Sequence, residues 1–543
     1  MTGFLNLNPF GALGTPAGRR SWLADLCGSI PKAASKNDLL DQIDGALFVV
    51  APVGDTATLE SLGKRYRGQV DKAGDVHDRA NKVARKGLPE VWVGDTSVLA
   101  SDAVGASARA ATKMSDAFEG GAKALLALAD ALGHAQKQDA DGRAKMQQAK
   151  QQLGPKDSFF DLGRLIETDE EKAEKKKALD TARTVATDGV GLMHKAAVAA
   201  DDAVRAAARD LNKWAAEARA GKMHTGRLTA VDRLMLADTS GKDGAPDYNE
   251  ILTAGDLERS GRAMDKLSPA DRTRMDQLLA NAKSPQEKAY LMKALAAGHG
   301  VADIETFDGK IHGKDPAWLQ RHLSPIVTKG DSLKDEGTDG NGANVNTDLQ
   351  SFDGQQWAQG GDGSEGTCVA SSTVTARAMV DPVFALGLTG GPSGQEDDPA
   401  AFRRRLVDEQ HRVHQEGHGG ANWNGMDLTG KTDVVNKEIS PETGSSYELH
   451  EVRDADSRRN VLPDIEKAVA EGKPVPIGVE GYTDGKRSGH AMMIIGQEGD
   501  KLEIYNPWGR TTWVSEDDFV NGGMGKASDY QLPNAYAVHL PQD

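Results

Sequence analysis

Two cysteines, Cys27 and Cys368, stand too far apart in the chain to form a CxxC zinc or redox motif, and two thiols make no disulfide framework. Each is therefore judged by its surroundings. Gly366-Thr367-Cys368 precedes Val369 to Val380, a stretch free of Gly and Pro that Pro382 ends, so Cys368 is predicted at a helix start. The unpaired N–H groups and the helix dipole there favour a thiolate, the form a nucleophile needs. An isolated cysteine is more often a small buried hydrophobe, so a catalytic role requires a base. His490 opens the apolar run Ala491 to Ile495, Gln497 to Asp500 reads as a turn, and Leu502 to Asn506 returns as a second strand. A hairpin centred near Glu498 pairs Met492 with Ile504, Ile494 with Leu502 and His490 with Asn506. The Asn506 amide is then within reach of the imidazole and can fix its tautomer while the other ring nitrogen meets the thiol. Pro507-Trp508-Gly509 follows, and Trp508 is placed to shield that hydrogen bond from water.

Cys, then His, then Asn-Pro-Trp-Gly, with the His on a strand, resembles the papain-like cysteine peptidases, and the tetrapeptide is most similar to that of papain and calpain. The short hairpin from His490 to Asn506, with Trp513-Val514-Ser515 to Phe519 after it, is also similar to the double-glycine-leader peptidases of bacteriocin exporters. The resemblance implies Cys368 as nucleophile, His490 as general base and acid, and Asn506 as the orienting residue. It also implies a glutamine about six positions before the cysteine that helps hold the oxyanion. Asp362 occupies that position here; Gln359, nine before Cys368, is the candidate, with Gln355 and Gln356 further back. Such a donor is worth about 3 to 4 kcal/mol of barrier. No cofactor and no metal is expected. His411, His414 and His418 satisfy neither HExxH nor HxxEH and are read as polar surface. Gly387 to Gly394 lacks the Lys-Ser/Thr of a phosphate loop, Lys242 breaks an EF-hand pattern in Asp238 to Asp247, and Trp423 is read as lining a cleft or as loop packing.

The elements that must carry this chemistry lie in the last third of a long chain. At 543 residues the protein exceeds what one core serves, and 38% hydrophobic with 61 Gly suits a helical chain with generous loops. Its longest apolar stretch, Ala46 to Val53, is far below the ~20 residues of a spanning helix, and no basic segment followed by an apolar one opens the chain. A net charge of −16 without a basic block disfavours nucleic acid and anionic lipid.

Residues 1–54 are left unassigned. From Leu59 an a/d seam runs through Leu62, Tyr66, Gln69, Ala73, Val76, Ala80 and Val83. Pro89 stops it, Trp92-Val93-Gly94 follows, and a second seam runs through Ala111, Met114, Phe118, Gly121, Leu125, Leu128, Leu132 and Ala135. This predicts an antiparallel helical hairpin at 55–155. A hairpin bent at Trp-x-Gly resembles the WXG-type proteins exported by actinobacterial type VII secretion. The Tyr-x-x-x-Asp/Glu export signal of that family is missing behind the second helix; the match found, Tyr447 to Glu451, lies far downstream. A charged run, Glu167 to Lys177, opens a long helical extension at 156–222. Short helices opened by Ser268-Pro269 and Ser284-Pro285 form a connector at 223–325, Gly, Asp, Asn and Thr mark a linker at 326–349, and 350–543 reads as an α+β domain with strands at Pro474 to Val479, Ala491 to Ile495, Leu502 to Tyr505 and Tyr536 to Leu540.

The fold class expected is thus multidomain: an all-α N-terminal region, then an α+β papain-like domain. The function expected is a modular bacterial effector or toxin-like protein whose thiol hydrolase cuts peptide bonds through an acyl-enzyme. Glutamine deamidation or transamidation, peptidoglycan amide cleavage, and a helical secretion partner or scaffold with an idle C-terminal domain are the alternatives. The partners expected are a protein or peptide substrate and a secretion-apparatus or immunity partner, with no nucleic acid and no membrane insertion. The resemblance implies secretion without a cleaved signal peptide, with a cytoplasmic protein as the alternative; a catalytic thiol needs the reducing conditions of a cytosol.

Overall fold

The computed structural model describes residues 16–92, 95–157, 168–220, 251–326, 347–360, 366–391, 395–417, 425–528 and 531–542. They divide into two compact units, one within Met1–Gly68 and Gly120–Asp210, the other within Gln69–Glu119 and Leu211–Asp543. The first unit is helical. Helices α1 (Pro16–Ser29) and α2 (Lys36–Phe48) lie in the stretch left unassigned on sequence; Ser35 caps α2 by accepting the Asp38 N–H. Their Leu23, Leu39 and Ile43 pack with Met146, Val190 and Met193 of two long helices. Those helices are α5 (Asp95–Leu153) and α6 (Asp169–Ala220), reached through α3 (Thr56–Lys82), one π turn (Val83–Gly87) and the short α4 (Leu88–Val91). A Cβ on Gly142 of α5 would lie 2.7 Å from the Gly189 carbonyl of α6, so the two backbones cross at van der Waals contact and only glycine fits there.

The α3 and α5 helices run antiparallel, as their paired positions show. In the first unit Gly63 receives Leu126. In the second, Ser115 donates to the Val70 carbonyl at 3.3 Å, and His77 Nδ1 lies 2.8 Å from the Thr112 hydroxyl. The seam differs from the one expected. Tyr66, Val76 and Val83 are exposed, and the contact face runs through Gly63, Val70 and His77, one step round the helix. The close approach explains this, because a bulky a/d residue would hold the helices apart where Gly63 admits a leucine. Trp92 is half-exposed; Val93 and Gly94, which complete the Trp-x-Gly, lie outside the described residues. So do Asp238 to Asp247, Asp362, His418 and Trp423.

In the second unit, α7 (Ala254–Lys266), α8 (Pro269–Asn281), α9 (Pro285–Ala296), α10 (Val301–Ile311) and α11 (Pro316–Leu323) start at side-chain caps except α10; Ser268 and Ser284 accept from the N3 N–H as their spacing predicted. Their core of Leu257, Met275, Tyr290 and Phe307 also takes in Leu386, which belongs to the C-terminal part of the chain.

The C-terminal part is α+β. Strands β1 (Thr347–Leu349), β4 (Ser446–Glu451), β5 (Val475–Thr483), β6 (Lys486–Glu498), β7 (Lys501–Asn506), β8 (Arg510–Ser515) and β9 (Asn534–Gln542) form an antiparallel sheet in the order β1-β8-β7-β6-β5-β9-β4, with a two-residue hairpin of β2 (Ser351–Phe352) and β3 (Gln355–Gln356) beside it. Thr347–Leu349 was expected to be linker. It instead pairs with β8, and the Gln350 amide continues the contact by donating to the Thr511 hydroxyl at 2.9 Å. Three polar-edged residues carry no alternation long enough to read as a strand.

Alternation along β6 feeds two cores. Met492 and Ile494 face α17 (Ala455–Ala470) and α18 (Glu516–Asn521) with Leu462, Ile465 and Phe519. Ala491 and Met493 face the other side, where α12 (Cys368–Val380), α13 (Pro382–Thr389), α14 (Pro399–Glu416), α15 (Leu428–Glu438) and α16 (Ser440–Thr443) lie with Val374, Phe402, Val435 and Ile439. His414 of α14, expected on the surface, is fully buried. Among the described residues no helix is long and apolar enough to cross a membrane.

Candidate active site

The α12 helix begins at Cys368 itself, with Thr367 as N-cap. Its Ser372 and Thr375 hydroxyls anchor it to the sheet, Ser372 donating to the Ala491 carbonyl at 3.4 Å and Thr375 meeting the Tyr505 hydroxyl at 3.0 Å, while Tyr505 donates to the Trp357 carbonyl. The nucleophile candidate is thereby held against β6 beside His490.

How His490 reaches Asn506 corrects the expected register. The strands pair Glu498 with Lys501, Gln497 with Leu502 and Gly496 with Glu503, then Ile494 with Ile504 and Met493 with Tyr505, so the turn is Gly499-Asp500 and not one centred on Glu498. Gly499 takes a φ of 59°, which suits such a two-residue turn. The extra residue between Ile494 and Gly496 is a β-bulge. Without it the register near the turn would carry His490 and Asn506 to opposite faces; one inserted residue restores the parity and brings them to the same face as diagonal neighbours.

His490 Nε2 lies 3.0 Å from Asn506 Oδ1. The amide orientation is set by its other bonds: Nδ2 donates to the Ala527 carbonyl at 2.8 Å, and Oδ1 also accepts the Trp508 N–H at 3.1 Å. Oδ1 only accepts, so Nε2 carries the proton and Nδ1 is left for the Cys368 thiol. Trp508 stacks on the imidazole with centroids 5.0 Å apart, and Arg510 covers its indole at 5.1 Å. Gly509 has a φ of 78°, and a Cβ there would meet the Gln356 Cβ at 3.0 Å, so this corner of the Asn-Pro-Trp-Gly segment requires glycine.

Gln359 is buried. Its N–H donates to the Pro507 carbonyl at 2.6 Å, which stitches its segment to the residue after Asn506. From α14, Arg403 donates to the Ala358 and Gln359 carbonyls, both at 2.6 Å, and Gln410 bridges Ala358 to the Ser371 hydroxyl of α12. Gln355 and Gln356 form β3.

Desolvation alone would push the Cys368 thiol up. The net direction is nevertheless down, because the hydrogen bond and charge of His490, the Ala491 backbone N–H and the charge of Lys431 all favour the thiolate. Cys27 sits among apolar groups at the edge of the first unit's core, and burial pushes it up. Iodoacetamide at pH 6 is therefore expected to alkylate Cys368 at least about tenfold faster than Cys27, read by peptide mass spectrometry; equal rates would count against an activated thiol.

Lys431 was missed on sequence. The available signal was periodic: Lys431 shares the buried stripe of α15 with Val434, Val435 and Glu438. The chemistry the site supports is nucleophilic attack by a thiolate, with proton transfer by a neighbouring imidazole whose tautomer is locked from behind. In comparisons with family models, with curated proteins and with solved structures, nothing matched the chain.

Proposed function

We propose that the C-terminal region is a papain-like thiol hydrolase that cleaves peptide bonds, delivered or docked by the helical region ahead of it. The observation that carries this reading is the assembly of Cys368, His490 and Asn506 into one hydrogen-bonded chain with the thiol pushed toward its anion. The Cys368 thiolate attacks the substrate carbonyl carbon and makes a tetrahedral oxyanion. As that intermediate collapses, the C–N bond breaks and the imidazolium gives its proton to the departing amine, leaving a thioester. His490 then takes a proton from water, the resulting hydroxide attacks the thioester, and the acid product leaves as Cys368 is restored. Asn506 holds the ring so that one nitrogen serves both steps. Gln359 is assigned the oxyanion donor beside the Cys368 N–H.

A role as an effector exported by a type VII route, with a dedicated secretion or immunity partner, is the wider proposal, and it rests on the helical hairpin. The test of the chemistry is direct. Wild type and Cys368→Ala are incubated with a denatured proteome under reducing conditions, and mass spectrometry reads new peptide N-termini together with glutamine-to-glutamate mass shifts. New termini that vanish in the variant are the expected result. Mass shifts without cleavage would make the protein a deamidase, and neither signal alongside slow alkylation of Cys368 would leave a scaffold.

A further inference from the structure

Lys431 stands in the first turn of α15, only 4% exposed, and its Nζ is fully buried with no hydrogen-bond partner among the described residues. An ammonium removed from water without an acceptor is among the most costly groups a fold can hold, and an apolar residue of similar size would be cheaper. The helix that carries it packs on α12, and the two share a core that includes Val434 and has Cys368 packed against it. The charge that favours its protonated form is the Cys368 thiolate, acting against burial, which takes the amine down to about 7. The effect is mutual, since Lys431 also lowers the thiol. On the side of β9, His539 meets the hydroxyl of neighbouring Thr432 at 2.9 Å, and burial together with the Lys431 charge keeps its imidazole neutral, pushed down to about 2. Among the described residues no carboxylate is paired with the amine.

We propose that Lys431 is a positioning residue of the site, a second cation that together with His490 stores Cys368 as its thiolate. The proposal rests on Cys368 being the nucleophile and adds that its activation needs two cations, one on the sheet and one on a helix. Several other charged groups around α15 are paired with one another. Arg412 of α14 pairs with Glu438 and Glu416, Lys437 with Glu416, and Arg377 of α12 with Glu438 and with Glu442 of α16. His450 of β4 acts on His539 alongside Lys431, and Tyr536 of β9 is a further titratable group that senses the Cys368 charge, while His490 of β6 is hydrogen-bonded to the thiol.

The test compares the pH profile of Cys368 alkylation by iodoacetamide in wild type, Lys431→Met and Lys431→Arg, with a thermal melt of each. Lys431→Met is expected to raise the midpoint by about one pH unit, a roughly tenfold slower reaction at pH 6. Its melting temperature at pH 6 should be no lower than wild type, because a lysine whose folded value lies below its unfolded one costs stability wherever it is charged. Lys431→Arg, whose charge does not titrate in this range, is expected to keep the low midpoint. A folded Lys431→Met with the wild-type profile overturns the proposal while leaving the His490 pairing intact. Should the Met variant fail to fold, an Arg variant with a raised midpoint overturns it instead. A wild-type Cys368 that reacts like Cys27 defeats the parent reading of the thiol before any variant is compared.

Discussion

His490→Ala is expected to slow turnover of a peptide substrate by about 10³-fold, within the range by which a positioned acid-base group speeds such a step. The same substitution should slow alkylation of Cys368 at pH 6. His490 supplies both a hydrogen bond and a charge that hold the thiol below its ordinary value, against a desolvation that acts the other way. Once that support is gone, burial dominates, the thiol titrates nearer to its ordinary range, and the thiolate fraction at pH 6 falls. The two readouts separate chemistry from folding: turnover needs a substrate, whereas the alkylation profile is available on the purified protein. An unchanged profile in a folded variant would mean that the imidazole does not set the state of the thiol. Trp508 and Arg510 stack behind the ring, so an alanine there leaves a gap bounded by aromatic surface and should not disturb the sheet pairing of β6 with β5.

Asn506→Ala is expected to act on stability and on turnover together. The side chain is fully buried and makes three hydrogen bonds, to His490, to the Trp508 N–H and to the Ala527 carbonyl. Truncation strands two backbone groups and the imidazole N–H. At about 1 to 3 kcal/mol for each buried group left unmade, with partial relaxation, a total loss of roughly 2 to 4 kcal/mol follows. The ring also loses the partner that fixes its tautomer, so turnover should fall even in the molecules that remain folded. Asn506→Asp distinguishes the two effects. It keeps an acceptor for Nε2 and for the Trp508 N–H, but sets a carboxylate against the Ala527 carbonyl. It should therefore lose stability comparably while retaining more activity than the alanine variant. Thermal melts and turnover measured side by side check this, and equal activity of the two variants would argue that Asn506 serves the fold alone.

What could be read from the residues alone was whatever depends on near neighbours. Cys368 at a helix start follows from the Gly-Thr before it and the uninterrupted run to Val380. Ser268 and Ser284 act as caps because a serine followed by proline at N1 is a local signal, and the strands around Ala491 to Ile495 and Leu502 to Asn506 follow from their composition and the turn between them. What needed the tertiary structure was decided by distant partners. The bulge at Ile495 changes which face His490 takes, yet an inserted residue leaves no mark in an apolar run. The face of α3 that meets α5 was set by how closely Gly63 lets Leu126 approach, so the apolar seam through Tyr66 and Val76 was the wrong guide. Thr347–Leu349 becomes a strand only because the edge of β8 is there to receive it. Lys431 carries in its sequence a periodic sign of burial but none of its neighbour. Its burial beside Cys368 exists only once α15 and α12 pack together, because side-chain chemistry is local while desolvation and charge are properties of what surrounds it.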